Sequence, residues 1–127
     1  MSSAVFGRLV TAMVTPFDAD GAVDLGLAGR LAHHLVEHGS DALVVCGTTG
    51  EAAAMSKEEQ LAVLDAVLQI AQPHQVIMGL SGYNLHELLA FQQKIQARDI
   101  AGVLVPAPCY IRPSQPGLES FFQAVAD

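Results

Sequence analysis

Short apolar runs alternate with amphipathic stretches along the chain. The first run is Leu9 to Phe17 (LVTAMVTPF), and the turn Asp18-Ala19-Asp20-Gly21 stops it. From about Asp24, Leu27, Leu31 and Leu35 recur at four-residue spacing with Ala28, Ala32 and Val36 beside them, which predicts one face of a helix. Gly39 follows as a candidate C-cap. The second run, Ala42 to Cys46, enters Gly47-Thr48-Thr49-Gly50-Glu51. Ser56 and Glu59 then have capping-box spacing. The helix they open carries Leu61, Leu64 and Leu68 on one face, flanked by Val67 and Ala71, and stops before Pro73. A third run spans Val76 to Leu80. Asn84 with Glu87 marks the next helix start, whose apolar face is Leu88, Leu89, Phe91 and Ile95. The fourth run, Gly102 to Pro106, leads into Ala107 to Pro113. A last helix begins near Gln115 with Leu118, Phe121, Phe122 and Val125.

This order is strand–helix repeated four times, at roughly 30 residues per unit. Strands rich in Val, Ile and Leu that alternate with helices predict an α/β fold with a parallel sheet and right-handed crossovers. The pattern fits an open doubly wound sheet or part of an eight-stranded barrel of about 250 residues. Either way, ligands sit at the C-terminal ends of the strands. That directs attention to Thr15-Pro16, Gly47 to Glu51, Gly79 to Gly82 and Pro106 to Tyr110.

Composition narrows the function classes. The 127 residues carry 13 acids against 6 bases, a formal charge of −7, which argues against a nucleic-acid binder. The apolar fraction of 51% and mean hydropathy of +0.37 suit a sheet covered on both faces. No apolar run reaches the roughly 18 residues of a membrane span, and MSSAVFGRLV lacks the charge-then-apolar order of a signal peptide. A cytoplasmic protein with reduced Cys46 and Cys109 is therefore expected.

Gly47-Thr48-Thr49-Gly50-Glu51 is the most informative stretch. Its glycines permit tight turning, and its threonines offer hydroxyl and amide donors for a carboxylate or a proton relay. An ordinary polar βα turn would read the same way. The stretch is neither a Walker loop nor a dinucleotide fingerprint. Tyr110 and Arg112 stand in the fourth loop, as a possible proton carrier and acid-group anchor or as a packed tyrosine and a surface arginine. His34 and His38 are spaced for zinc but lack a third ligand, so a solvated helix face is the preferred reading. Asp18, Asp20 and Asp24 lack the glutamate of a calcium loop and read as a turn. Both cysteines are expected to be buried, inert thiols at strand ends. Two lysines are present, Lys57 in a first helical turn and Lys94 mid-helix. Neither offers the desolvated strand position that a Schiff-base lysine requires.

Three segments together carry a resemblance: Gly7 to Phe17 (GRLVTAMVTPF), Cys46 to Ser56 (CGTTGEAAAMS) and Pro108 to Leu118 (PCYIRPSQPGL). With them the chain resembles the dihydrodipicolinate synthase (4-hydroxy-tetrahydrodipicolinate synthase) family of pyruvate-dependent class I aldolases. The resemblance implies a TIM barrel, with residues 1–127 as a single partial domain: four βα units forming the first half of a (β/α)8 barrel. It implies a lyase that joins pyruvate to L-aspartate semialdehyde through a lysine imine, with no metal or organic cofactor. The family is usually a tetramer built from tight dimers, so a homo-oligomer is expected. By the same resemblance, Thr48 corresponds to a relay threonine and Thr49 to a carboxylate holder. Tyr110 corresponds to a tyrosine that reaches into the neighbouring subunit's site. The imine-forming lysine of the family falls beyond residue 127, so the chain alone is expected to be inactive.

Some positions depart from the family pattern. Cys109 stands where a second tyrosine is common and Ile111 where asparagine is common. Gly79 to Asn84 (GLSGYN) has Tyr83 in place of an asparagine, although Glu87 matches a family glutamate. These third-strand positions line the lysine feedback site of inhibited members, so feedback by lysine is not expected. N-acetylneuraminate lyase is the rival within the enzymes, disfavoured by the paired threonines and Arg112-Pro113. A non-catalytic half-barrel binding or assembly module is the rival from another class. A half barrel is also expected to leave its inward side chains uncovered and its first and fourth strands as open edges.

Overall fold

A computed structural model describes residues 4–127. The strands are β1 (Val10–Ala12), β2 (Ala42–Val45), β3 (Val76–Gly79) and β4 (Gly102–Leu104). The helices are α1 (Leu25–Glu37), α2 (Lys57–Leu68), α3 (Leu85–Gln96) and α4 (Gln115–Ala126). The strands form one sheet in the order β1-β2-β3-β4, with every pair parallel. The alternation read from the hydrophobic pattern is therefore the architecture, and sequential strands are spatial neighbours throughout.

Local chemistry sets the helix starts. Asp24, Ser56, Asn84 and Ser114 each accept a hydrogen bond from the backbone N–H three residues on. Ser56 and Glu59 close a full capping box, with bonds of 2.8 and 3.1 Å. Each such cap is worth about 1 kcal/mol, because it satisfies an amide that the helix leaves without an internal partner. Gly39, just past α1, has φ +111°. Asp18 is the turn residue expected, its Oδ1 accepting from Asp20 and Ala22 at 2.9 Å.

The main core lies between the sheet and the helices. Leu43, Val45, Val76, Met78 and Leu80 meet Val63, Leu64 and Val67 of α2 and Phe91 and Ile95 of α3 in one buried cluster. The other face of the sheet is thinner: among the described residues its buried cluster is Ala42, Val44 and Ile77, with Ala101 packed against it. By register, Val10 and Ala12 lie beside Ala42 and Val44, while Gly102 and Leu104 lie beside Ile77 and Gly79. Val10 is 39% exposed and Leu104 54%. The expected open face and open edges are thus present on this sheet.

Several sequence expectations need correction. The first run does not make one long strand. Ladder pairing stops near Met13, whose N–H donates to Val44, and Pro16 then redirects the chain so that Phe17 forms an antiparallel bridge with Val23. The α1 stripe is centred on Ala28, Gly29 and Ala32 rather than on its leucines. Leu27 is exposed, and Leu31 and Leu35 are half-buried. The cause is close packing on α2, where a Cβ on Gly29 would sit 3.5 Å from Ile70 and 3.7 Å from the Ala66 carbonyl. On α2 the inward positions are Gln60, Val63, Leu64 and Val67: of the predicted face Leu64 and Val67 are buried, Leu61 and Leu68 are half-buried, and Val63 and a buried glutamine complete it.

Candidate active site at the strand ends

The loops after the four strands gather at one end of the sheet, as a parallel sheet with helical crossovers requires. Two of them carry unusual backbone. Among the described residues, the non-glycine residues with positive φ are Cys46 (55°), Glu51 (58°), Tyr110 (73°) and Arg112 (47°). The first pair brackets the threonine loop and the second lies in the loop after β4. Left-handed backbone costs a side-chain-bearing residue on the order of 1 kcal/mol, and such strain clusters where function needs it.

Packing around the threonine loop holds it in that shape. The Thr15 hydroxyl, itself buried, donates to the Gly50 carbonyl at 2.7 Å and ties the end of the first strand segment to the second loop. A Cβ on Gly50 would lie 3.1 Å from the Met13 carbonyl and 3.2 Å from the Cys46 backbone. Glu51 N–H donates to the Thr48 carbonyl at 3.0 Å, and a short 3₁₀ turn, Ala52–Ala54, follows. Gln60 braces that turn from beneath, donating from Nε2 to Ala52 at 3.1 Å and Met55 at 3.4 Å. Gly79 closes the arrangement at the end of β3. A Cβ there would fall 2.1 Å from the Cys46 carbonyl oxygen, so only glycine lets the two strand ends approach this closely.

The loops enclose two depressions. A pocket of 180 Å³ lies across the ends of β2, β3 and β4, between Gly47, Thr48, Gly79, Ser81, Leu104 and Pro106. A larger cleft of 520 Å³ runs outward from it past Lys57, Gln60, Tyr83 and Cys109, and Thr48 borders both. The smaller pocket holds the position that parallel α/β folds use for ligands, so it is the better candidate despite its size. Thr48 and Thr49 are exposed, and among the described residues their hydroxyls make no hydrogen bond within the chain. Thr49 lines neither depression. Tyr110 is 93% exposed and lines neither, and Arg112 is likewise on the surface.

The remaining candidates resolve simply. Lys57 is exposed; its Nζ stands 4.5 Å from the centre of the Phe91 ring and 3.4 Å from the Ser81 carbonyl, to which it donates. It stands on the surface, not at the desolvated strand position that an imine-forming lysine needs. Lys94 is exposed on α3. His34 and His38 stack with ring centroids 4.1 Å apart, and no group of three metal-ligating side chains occurs among the described residues. Cys46 is buried as expected, and burial pushes its thiol up to about 12. Cys109 is not: it is exposed, 3.4 Å from the Tyr83 hydroxyl, because its loop leaves the sheet beyond β4. That thiol also pushes the Tyr83 phenol above its ordinary range. Sequence reasoning marked Thr15 and Gly79 as strand-end positions but not as braces of the threonine loop, and it missed Gln60 altogether. A polar glutamine within the apolar pattern of α2 was the available signal for it.

Residues 5–127 match the family model for the dihydrodipicolinate synthetase family. The chain belongs to that family. A 4-hydroxy-tetrahydrodipicolinate synthase of Synechococcus sp. (strain WH7803) is 51% identical over 128 residues, covering 100% of this chain and 42% of that protein. The synthase of Prochlorococcus marinus (strain MIT 9313) is 50% identical over 127 residues, covering 99% of this chain and 42% of the relative. Among solved structures, the dihydrodipicolinate synthase of Cyanidioschyzon merolae with lysine bound superposes with a TM-score of 0.91 at 38% identity, covering 96% of this chain and 42% of that one. The N-acetylneuraminate lyase of Proteus mirabilis gives 0.86 at 29%, covering 93% and 41%. The chain therefore spans about two-fifths of the length of the relatives it matches, and its four βα units are the first half of a (β/α)8 barrel. No helix among the described residues is long and apolar enough to cross a membrane.

Proposed function

We propose that this chain is the N-terminal half of a Schiff-base lyase that condenses pyruvate with L-aspartate semialdehyde to 4-hydroxy-tetrahydrodipicolinate in the cytoplasm, without metal or organic cofactor. The observation that carries the proposal is the 51% identity to a synthase across the whole chain. The strained threonine loop at the strand ends supports it. In this reading a lysine beyond residue 127 attacks the pyruvate carbonyl, water leaves, and an imine forms. Loss of a methyl proton gives the enamine, whose carbon attacks the aldehyde. Thr49 holds the pyruvate carboxylate, Thr48 passes protons between the reacting atoms and solvent, and Tyr110 acts in the site of a neighbouring subunit. The exposure of Tyr110 leaves it free to do so.

Borohydride reduction in the presence of pyruvate, read by intact mass, tests this. The 127-residue chain remains unlabelled, whereas a version extended to the length of its relatives gains one pyruvate-derived adduct. An adduct on the short chain overturns the assignment of the lysine. A substrate panel on the extended version separates condensation with aspartate semialdehyde from cleavage of the sugar acid N-acetylneuraminate. Preference for the sugar would replace this reading with that of the neuraminate lyase.

A further inference from the structure

The 520 Å³ cleft outside the smaller pocket is walled by the loops after β2, β3 and β4 and by the first turn of α2. It takes no residue from β1 or β4, the strands at the sheet edges. The titratable groups that line it are one cation, one thiol and one phenol, those of Lys57, Cys109 and Tyr83, and no carboxylate lines it.

The floor of the cleft holds an acceptor that the fold does not use. Gln60 is 4% exposed, and its Nε2 donates to the carbonyls of Ala52 and Met55, which fixes which end of the amide is oxygen. Among the described residues no donor reaches that oxygen, yet none of their buried side-chain polar atoms is sealed off without a partner. The Gln60 Oε1 therefore opens on the cleft that the residue lines, as an unfilled place for an N–H donor. Lys57 stands on the wall, its Nζ steadied by the Ser81 carbonyl and the Phe91 ring, with further N–H donors left for an anion. The exposed Cys109 thiol lies 3.4 Å from the Tyr83 hydroxyl. That phenol, pushed above its ordinary range by the thiol, keeps its proton at neutral pH and donates it to the sulfur in a hydrogen bond when the thiolate forms.

We propose that this cleft takes an acidic peptide disulfide of low mass and that Cys109 exchanges with it to form a mixed disulfide. Lys57 pairs with a carboxylate of the ligand, Gln60 Oε1 accepts an amide N–H from it, and Tyr83 steadies the sulfur. The volume suits a molecule of a few residues. The Cys109 thiolate attacks one sulfur of the disulfide; a new sulfur–sulfur bond forms, the old one breaks, and the second half leaves as a thiolate. Cys109 is oxidised, the departing half is reduced, and the proton lost by Cys109 reaches the departing sulfur through solvent. Thr48 borders the cleft, so the retained half ends beside the threonine loop. The proposal uses no step of the catalytic reading and does not rest on it.

Exchange of the 127-residue chain with oxidised glutathione, read by intact mass and peptide mapping, tests this. Dithiodipropionate offers the carboxylates without amides, and cystamine offers cations instead. The peptide Pro106–Pro113 supplies the same thiol without the cleft. The rate of the chain with oxidised glutathione should level off with concentration, as for a reactant that binds first, whereas the peptide's rises linearly. The ratio of glutathione to cystamine rates should be about fivefold higher in the chain than in the peptide, the size expected of one exposed charge pair. Lys57→Met should remove that difference, with circular dichroism as the check on its folding. Dithiodipropionate should keep the charge preference and not level off over the same range. A linear concentration dependence in the chain, a rate ratio equal to the peptide's, or a ratio that a folded Lys57→Met variant leaves unmoved overturns the proposal. So does an adduct that maps to Cys46, and equal levelling-off with dithiodipropionate overturns the part given to Gln60. The first two measurements need no variant and decide the matter if Lys57→Met does not fold.

Discussion

Gly79→Ala provides a sharp test of how the candidate site is assembled. The added Cβ would stand 2.1 Å from the Cys46 carbonyl oxygen, 2.7 Å from its carbon and 2.9 Å from the Gly47 Cα. All three neighbours are backbone, so no side chain can swing aside, and the ends of β2 and β3 must separate by about 1 Å. Overpacking of this kind costs about 1–3 kcal/mol, and the backbone contact places it near the upper end. With a urea slope of about 1.5 kcal/mol per molar, a loss near 3 kcal/mol lowers the unfolding midpoint by about 2 M. Gly82→Ala is the matched control, because a Cβ there meets only Leu88 Cδ1 at 3.5 Å. It should fall within about 1 kcal/mol of the parent and gain slightly from reduced unfolded-state entropy. Urea unfolding followed by circular dichroism measures both, in parallel and at one protein concentration. Equal midpoints for the two variants would refute the claim that close backbone approach fixes this corner of the site.

Three further outcomes follow from the same geometry. Gln60→Leu removes both donors to the carbonyls of Ala52 and Met55 and should cost about 2–3 kcal/mol in denaturant unfolding, since each bond contributes about 1 kcal/mol and stranded acceptors add to the loss. A thiol reagent near pH 8 should label Cys109 and spare Cys46, whose burial holds its thiol at about 12; peptide mapping reads this directly. Asp41 is held below its ordinary carboxylate range by the amides of Leu9 and Arg8. Its contribution is therefore present above the unfolded value near 3.8 and is lost as pH falls through the lower folded value, so Asp41→Asn should flatten the acid limb of a stability–pH curve.

Much of the fold was legible because each strand–helix unit repeats the same local signals. Asn84, Ser56 and Asp24 stand at helix starts, and Val-rich runs mark the strands. What remained hidden depends on pairs of elements. That Ala28 and Ala32, rather than the leucines of the same face, are the most buried follows from how closely α1 meets α2, which no pattern within α1 can report. The end of β1 near Met13 depends on Pro16 and on the Phe17–Val23 bridge, not on hydrophobicity, which continues unbroken to Phe17. Thr48 and Thr49 were visible as residue types at a strand end. The left-handed backbone at Cys46 and Glu51 was not, because it is imposed by contacts with Thr15, Gly79 and Gln60 on three other segments. Cys109 was misjudged for the related reason that an apolar run before a residue does not bury the residue itself.

The Thr15–Gly50 bond and the Gln60 brace have one further consequence. They grip the threonine loop by its main chain and at its base, and they ask nothing of the two hydroxyls at its crest. The braced base of the loop and its exposed crest are therefore separable. Other side chains can be installed at Thr48 and Thr49 with little risk to the surrounding architecture, so variants at those two positions can test the roles proposed for the hydroxyls without unfolding the loop.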